Sequence, residues 1–382
     1  MFHELLTRNT EGFPSKPLSE NITIFQTPSL EKPSLQENFN LIKFPTTRFY
    51  GSKRKQLAWL QEIFRDIPGR TVLDGFGGTG TVSLLLSAMG KEVTYNDIFK
   101  FNEINARALF LFQTNSIDEI ELQKYIYKVN PYKGFISSTF RNIFFRDFEN
   151  NWLDGFMRMI SEVQNETVIS LLLYCLFQAS LQKRPFNLFH RANLYIRDSK
   201  QSVSFGNRIT WETPFPELMF NAFRELRKAQ DLMKYPVQVL NRQPIEAIKI
   251  KFDIVYLDPP YFQLTRNPES YLQRYHFLEG LARFNEWPDL IDYSSKTRGF
   301  RNKNEAGEWS SKPEFLNRLT DLLSMHKSST VVMSYVSGSY PSEEILTKMF
   351  ETTFGTVIKK KMKFNRALST QGREEILLIG NP

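Results

Sequence analysis

Between positions 53 and 67 the apolar residues Leu57, Leu60, Ile63, Phe64 and Ile67 recur at helical spacing, which predicts an amphipathic helix. The run Thr71-Val-Leu-Asp74 then reads as a short strand, followed by a glycine-rich turn and an apolar helix over 82–89 that Gly90 closes. Glu92-Val-Thr-Tyr-Asn-Asp97 supplies the next strand, so the order strand, helix, strand predicts parallel pairing. Strand patterns resume at 252–257 and 330–335, a helix is expected over 342–350, and two last strands at 356–364 and 375–380 flank a short polar loop. The expected fold is α/β, with a mostly parallel sheet that ends in an antiparallel hairpin. Residues 135–244 interrupt this rhythm with a helix near 151–180 and then a basic, aromatic-rich region, and read as an inserted module. Residues 1–43 are rich in Pro, Ser, Asn and Glu and predict an extended arm, which leaves 44–134 and 245–382 as the α/β body.

Composition narrows the classes. With 41% hydrophobic and 14% aromatic residues in 382, the chain has enough apolar material for a packed core. A net charge of +8 favours a polyanionic partner, with nucleic acid ahead of an anionic membrane surface. Cys175 is the only cysteine, and the histidines are His3, His190, His276 and His326, so neither a disulfide framework nor a Cys/His zinc cluster can be assembled. A reducing, cytoplasmic setting is expected. The N-terminus has no basic segment leading into an apolar run, and the apolar stretch 168–177 is too short to span a bilayer, so neither export nor membrane insertion is expected.

Candidate chemistry lies in two turns. Asp74-Gly75-Phe76-Gly77-Gly78-Thr79-Gly80 joins a strand to a helix, where glycines permit a tight turn and close approach of a nucleoside cofactor. Asp97 ends the next strand, from which a carboxylate can accept two ribose hydroxyls. These two features suit a nicotinamide dinucleotide as well. Asp258-Pro259-Pro260-Tyr261 follows the 252–257 strand, at the sheet edge where α/β ligands bind. The two prolines stiffen the turn and forbid a helix, leaving Asp258 and the Pro259 carbonyl as neighbouring acceptors beside the flat face of Tyr261. An amine nitrogen fits between those acceptors. An isolated Asp-Pro-Pro is also a good strand terminator with a solvated Asp, so the motif gains weight from its company.

In that company the chain resembles the Dam-like adenine-N6 DNA methyltransferases of the D12 class. The resemblance covers residues 44–382 and includes Phe49-Tyr50-Gly51-Ser52-Lys53, similar to the family's amino-terminal cofactor segment with Ser52 in place of a common glycine. It implies S-adenosylmethionine as cofactor, held by Phe49, Tyr50, Gly51 and Lys53, by Asp74 to Gly80, and by Asp97 and Ile98. It implies catalysis by Asp258, Pro259, Pro260 and Tyr261 on an adenine flipped out of duplex DNA. The order of segments is that of the alpha group, in which the insertion 135–244 is the target-recognition domain. The usual setting of that family is bacterial modification of a short DNA sequence, often beside a restriction endonuclease; a monomer is expected here. One departure is Asn241-Arg-Gln-Pro-Ile-Glu246, which lacks the Asp expected near the cofactor adenine.

Within the insertion, Lys183, Arg184, Arg191, Arg197, Lys200 and Arg208 alternate with Phe186, Phe189, Tyr195 and Phe205. This suits phosphate contacts, with Arg191 and Asn193 as candidate base readers, although such a run is also the usual look of a solvated face. Tyr275-His276-Phe-Leu-Glu279-Gly280 and the run 334–340 resemble family stretches flanking the active site. An RNA adenine-N6 methyltransferase, a nicotinamide oxidoreductase and a DNA-binding protein without catalysis are the competing readings. The oxidoreductase gives no role to Asp258–Tyr261, and the long basic insertion favours duplex DNA over RNA.

Overall fold

The chain enters the fold through a 3-10 turn (Lys53–Gln56) and α1 (Leu57–Asp66), which buries Leu57, Leu60, Ile63 and Phe64 as its spacing predicts. Next come β1 (Thr71–Asp74), α2 (Thr81–Ala88), β2 (Glu92–Tyr95) and α3 (Lys100–Phe110), with Gly90 at φ 85° ending α2. The computed structural model describes residues 43–46, 52–111, 117–199, 208–263, 271–302, 309, 311–364 and 373–382. The expected arm therefore lies outside the described residues except for Lys43. Helices α4 (Glu119–Tyr127), α5 (Phe135–Thr139), α6 (Asp147–Ser161), α7 (Glu166–Gln182), α8 (Leu194–Asp198), α9 (Arg208–Glu212) and α10 (Phe215–Gln230) then intervene before the chain returns to the sheet as β3 (Val237–Val239). After β4 (Ile254–Leu257) and the short β5 (Phe262–Gln263) come α11 (Tyr271–Ala282), α12 (Trp287–Leu290) and α13 (Lys312–Met325). The chain closes with β6 (Thr330–Val336), a short β7 (Ser339–Tyr340) paired to β5, α14 (Glu343–Thr353), β8 (Thr356–Phe364) and β9 (Arg373–Asn381).

Seven strands pair in the order β3-β2-β1-β4-β6-β9-β8. The first five are parallel, and β9 runs antiparallel to both β6 and β8. This is the mostly parallel α/β sheet that the sequence predicts, with the reversed strand one place in from the edge rather than at it. Strands β1 and β4 are neighbours, yet the chain moves outward from β1 to β2 and β3 on one side and from β4 to β6 on the other. Their carboxyl ends are in register, with Asp74 opposite Tyr95 and Tyr256. Loops leaving β1 and β4 must therefore part in opposite directions and open a crevice between them.

Two expectations for the insertion are corrected. The helix expected near 151–180 is two helices, broken where Asn165 accepts hydrogen bonds from the Thr167 and Val168 N–H groups and starts α7 afresh. Strand β3 falls inside the expected range 135–244 but is the sheet's edge strand beside β2; a Val-Gln-Val run is too short to show strand periodicity. Helix α7 packs along α3 and α10, and residues 40–382 form one continuous unit. Aromatic rings join the insertion to α11 and α12: Phe277 of α11 stacks on Phe189 at 5.0 Å and meets Phe140 and Trp287 edge-on at 5.1 and 5.2 Å. Among the described residues no helix is long and apolar enough to cross a membrane.

Gly280 of α11 lies against Trp287 so closely that a Cβ would overlap the indole ring. Gly280→Ala gains up to about 1 kcal/mol of helix propensity but must displace a fully buried ring, at a cost of about 1–3 kcal/mol. A net loss of stability in urea unfolding is the expected outcome, and a more stable variant would show that the ring yields freely.

Candidate active site

The glycine turn is built by contacts that a side chain would block. Gly75 N–H donates to the Tyr256 carbonyl at 3.0 Å and Gly77 N–H to the Asn96 carbonyl at 2.8 Å, stitching the turn across the ends of β4 and β2. A Cβ on Gly77 would enter the Tyr95 ring, whose hydroxyl donates to the Gly78 carbonyl at 2.6 Å. Gly78 and Gly80 adopt φ of 50° and 72°, and Gly80 leads directly into α2. Phe76 meets Trp309 edge-on at 5.1 Å, Thr79 and Thr81 share a hydroxyl hydrogen bond at 2.8 Å, and Ile98 is half-buried.

Two carboxylates flank this turn. Asp74 is buried; its Oδ2 accepts from the Ser83 hydroxyl at 2.6 Å, while Oδ1 has no hydrogen-bond partner among the described residues. Burial pushes the Asp74 carboxyl up to about 7, against the pull of the Ser83 bond, and the charges of Asp258 and Asp97 add to the rise. Asp97 accepts the Gly78 N–H on Oδ2 and the Phe99 N–H on Oδ1, both at 2.9 Å, and with further hydrogen bonds from Asn102 and the Ile98 N–H these fix the orientation of its carboxylate. The segment 241–246 is pinned beside them: Asn96 donates to the Gln243 carbonyl at 3.0 Å and accepts from the Gln243 N–H at 3.2 Å.

Across the crevice, Asp258 leaves β4. Its Oδ1 lies 2.8 Å from Lys53 Nζ, and the same ammonium lies 3.0 Å from Glu375 Oε1 on β9. Ser334 of β6 donates a short hydrogen bond to Glu375. Burial alone would lower the Lys53 ammonium, but the charges of Asp258 and Glu375 raise it well above its ordinary value. Burial likewise pushes Asp258 up to about 6, with Lys53 restraining the rise and Glu375 adding to it. Pro259 is buried and Pro260 half-buried, which fixes the turn, and Tyr261 stands edge-on to Tyr335 with ring centroids 6.0 Å apart. Lys53, expected among the cofactor residues, thus has its side chain on the candidate catalytic carboxylate. Phe49, Tyr50 and Gly51 lie outside the described residues.

The basic stretch of the insertion requires a larger correction. Lys183, Arg184 and Arg197, expected to face DNA, are buried. Glu149 of α6 holds Arg197 through two bonds of 2.8 and 2.9 Å and Lys183 at 2.9 Å. Lys183 also donates to the Trp211 and Thr213 carbonyls, and Arg184 to those of Leu188, Arg191 and Phe144 with its guanidinium 4.5 Å over the Phe144 ring. Between Glu149 and these backbone carbonyls the cations find hydrogen-bond acceptors, which is why burial is tolerated. Asn193 is also buried, at 7% exposure, and Lys200 lies outside the described residues. Arg191 and Arg208 remain exposed. Burial works against ionising Glu149, but Arg197 and Lys183 outweigh it and hold its carboxyl below the usual range.

Sequence reasoning missed Ser83, Asn96, Glu149, Glu279 and Glu375. Asn96 beside Asp97 could have been flagged by adjacency. The others meet their partners only through the tertiary fold.

The seven-stranded sheet, reversed at one strand, carries a glycine turn after β1, a carboxylate after β2 and Asp-Pro-Pro-Tyr after β4. The chain belongs to the D12 class N6 adenine-specific DNA methyltransferase family, whose sequence pattern matches residues 49–306. Type II methyltransferase M2.HphI of Haemophilus parahaemolyticus is 26% identical over 321 residues, 80% of this chain and 88% of that protein. Modification methylase LlaI of Lactococcus lactis subsp. lactis is 25% identical over 317 residues, 78% of this chain and 48% of its own length. Modification methylase StsI of Streptococcus sanguinis is 35% identical over 120 residues, 31% of this chain and 17% of StsI.

Removing the one acid from a buried cluster of cations should be costly. Glu149→Gln is expected to lose about 3–5 kcal/mol in urea unfolding, because Arg197 and Lys183 would remain buried without their counter-charge. Arg208→Gln, at an exposed site, should stay within about 0.5 kcal/mol. Equal stabilities for the two variants would contradict the buried cluster.

Proposed function

We propose that the chain transfers a methyl group from S-adenosylmethionine to the N6 amine of adenine in a short duplex DNA sequence, as the modification partner of a restriction endonuclease. The observation that carries this reading is Asp258, whose carboxylate stands at the switch point of the sheet with one oxygen on a buried ammonium 2.8 Å away. Lys53 occupies Oδ1, which leaves Oδ2 and the Pro259 carbonyl as acceptors for the two N–H bonds of an exocyclic amine. Adenine N6 is a poor nucleophile because its lone pair is delocalised into the ring. Holding both N–H bonds favours a tetrahedral nitrogen with its lone pair aimed at the methyl donor, and Tyr261 offers a face for the base. Direct transfer needs no covalent nucleophile, and Cys175 is buried with its thiol pushed above its usual range by burial.

The residues present fit this cofactor. Asp74 Oδ1 is a buried acceptor without a hydrogen-bond partner among the described residues, suited to a cationic amine, and Asp97 has an oriented carboxylate for ribose hydroxyls. Bound S-adenosylmethionine supplies a methyl group on a cationic sulfonium. Among the described residues, Asp74, Asp97, Asp258 and Glu375 outnumber the cation Lys53 and make this crevice acidic, which favours a cation and disfavours the pyrophosphate of a nicotinamide dinucleotide. The modification role is supported by the similarity to LlaI and StsI, both modification methylases. For DNA contact, the exposed Arg191 and Arg208 are the phosphate-facing candidates among the residues first considered.

The test is methyl incorporation from labelled S-adenosylmethionine into duplex DNA and into structured RNA, followed by sequencing of the methylated product. Label confined to RNA, or on cytosine, would overturn the reading. Asp258→Ala is expected to lose at least about 10³-fold in turnover while S-adenosylmethionine affinity changes little, and Asp97→Ala to weaken that affinity by about 1–3 kcal/mol. Because the ionised Asp258 is the stronger, charge-assisted acceptor and its carboxyl lies near 6, kcat/KM should be full above that pH and fall about tenfold per unit below it. A flat profile from pH 5 to 8 would remove the acceptor role. Arg191→Gln and Arg208→Gln should each lower the salt slope of DNA binding by about one unit on cognate and random duplexes alike, and unchanged slopes would exclude them as phosphate contacts.

A further inference from the structure

Helix α3 begins without a capping side chain of its own: its N-cap is Phe99, which has none to offer. Three successive backbone N–H groups at that end are divided between two carboxylates from different parts of the chain. Phe99 N–H donates to Asp97 Oδ1 at 2.9 Å, while Lys100 N–H and Phe101 N–H donate to Glu279 Oε1 and Oε2, each at 3.1 Å. Glu279 arrives from α11, 3% exposed, and so serves as the missing cap.

Helix α11 is held too firmly for Glu279 to be a chance contact. Tyr275 lies on Phe101 with ring centroids 5.7 Å apart, and His276 Nε2–H donates to the Phe189 carbonyl at 3.1 Å. Phe189 N–H donates back to the Arg274 carbonyl at 2.8 Å, and Gly280 is seated on Trp287. Burial lowers His276 to about 4, so it is neutral and structural at ordinary pH.

We propose that Glu279 is a positioning residue for the cofactor: by taking the Lys100 and Phe101 N–H groups, it keeps them from competing for Asp97 and so leaves that carboxylate free to receive the ribose. The inference rests on Asp97 serving S-adenosylmethionine as above. An unpaired N–H at a helix start seeks the nearest acceptor, and Asp97 already bonds the N–H immediately before these two. Losing Glu279 would draw Asp97 toward the helix and turn its lone pairs away from the crevice. Asp258 and its Lys53 partner stand on other strands and are untouched.

Glu279→Gln keeps shape and volume but turns one acceptor into an NH2 group facing a backbone N–H. Steady-state methylation of duplex DNA and calorimetric binding of S-adenosylhomocysteine are measured for the wild type, Glu279→Gln and Leu281→Ala. The last truncates another buried residue of α11 and serves as the control for plain destabilisation. Glu279→Gln is expected to raise the KM for S-adenosylmethionine and the Kd for S-adenosylhomocysteine about tenfold, with kcat and the KM for DNA within about twofold. Leu281→Ala should lower the melting temperature and leave cofactor affinity alone. Unchanged cofactor affinity in Glu279→Gln, or an equal loss in Leu281→Ala, overturns the proposal. A wild type without methyl transfer to DNA would instead sink the functional reading, and the binding data would still report on Glu279.

Discussion

A buried ammonium between two carboxylates is the constraint on which the rest of the site depends. Lys53 reaches Asp258 at the end of β4 and Glu375 on β9, so it ties the segment ahead of α1 to two strands separated in the sheet by β6. A carboxylate with so little contact with water would take up a proton at neutral pH unless a cation stood beside it. Lys53 is that cation, and Glu375 with Ser334 fixes where it stands. Without Glu375 the ammonium would have one carboxylate to follow and more freedom to leave the useful geometry. The cluster therefore sets the charge of Asp258 and, through its anchorage in β6 and β9, the direction in which its second oxygen points.

The parts of the fold that the sequence made legible are those where neighbours along the chain decide the outcome. Thr71–Asp74, Glu92–Tyr95 and Thr330–Val336 are buried runs between clear breakers, and the glycine turn and Asp258-Pro259-Pro260-Tyr261 carry their chemistry in consecutive residues. β3 escaped because three residues carry no periodicity, and the break between α6 and α7 escaped because its signal is one capping Asn165 inside a long apolar pattern. Lys53 was placed with the cofactor segment from its position in a run. Only the register of β4 and β9 brings Asp258 and Glu375 to its side chain.

The basic stretch of the insertion marks the limit of reading charge from sequence. Lys183 and Arg197 are indistinguishable by type from Arg191 and Arg208, yet the first two are internal counter-ions of Glu149 and the last two face solvent. The distinguishing fact is a single acid more than thirty residues upstream. Arg146 repeats the arrangement at the edge of the same cluster, bonding Glu212 through both terminal nitrogens at 2.6 and 2.9 Å and Asp198 at 2.9 Å. Glu149, Asp198 and Glu212 thus offset Lys183, Arg197 and Arg146, and the buried Arg184, held by backbone carbonyls, is the one cation of this group left without an acid among the described residues.

That balance relocates the chain's net charge of +8. The cations around Glu149 are largely offset, and among the described residues the crevice between β1 and β4 is acidic, with Asp74, Asp97, Asp258 and Glu375 around Lys53. The positive surplus must therefore lie elsewhere, on side chains such as Arg191 and Arg208 that remain exposed. An enzyme that holds a cationic methyl donor against a polyanionic substrate needs this separation. A basic crevice would repel the sulfonium, and an acidic exterior would repel DNA before any base reached the crevice. A target base can enter because adenine itself is uncharged and leaves its phosphates outside. On the proposed function, the acidic crevice favours a neutral base and a cationic donor at once and leaves phosphate contacts to the rim.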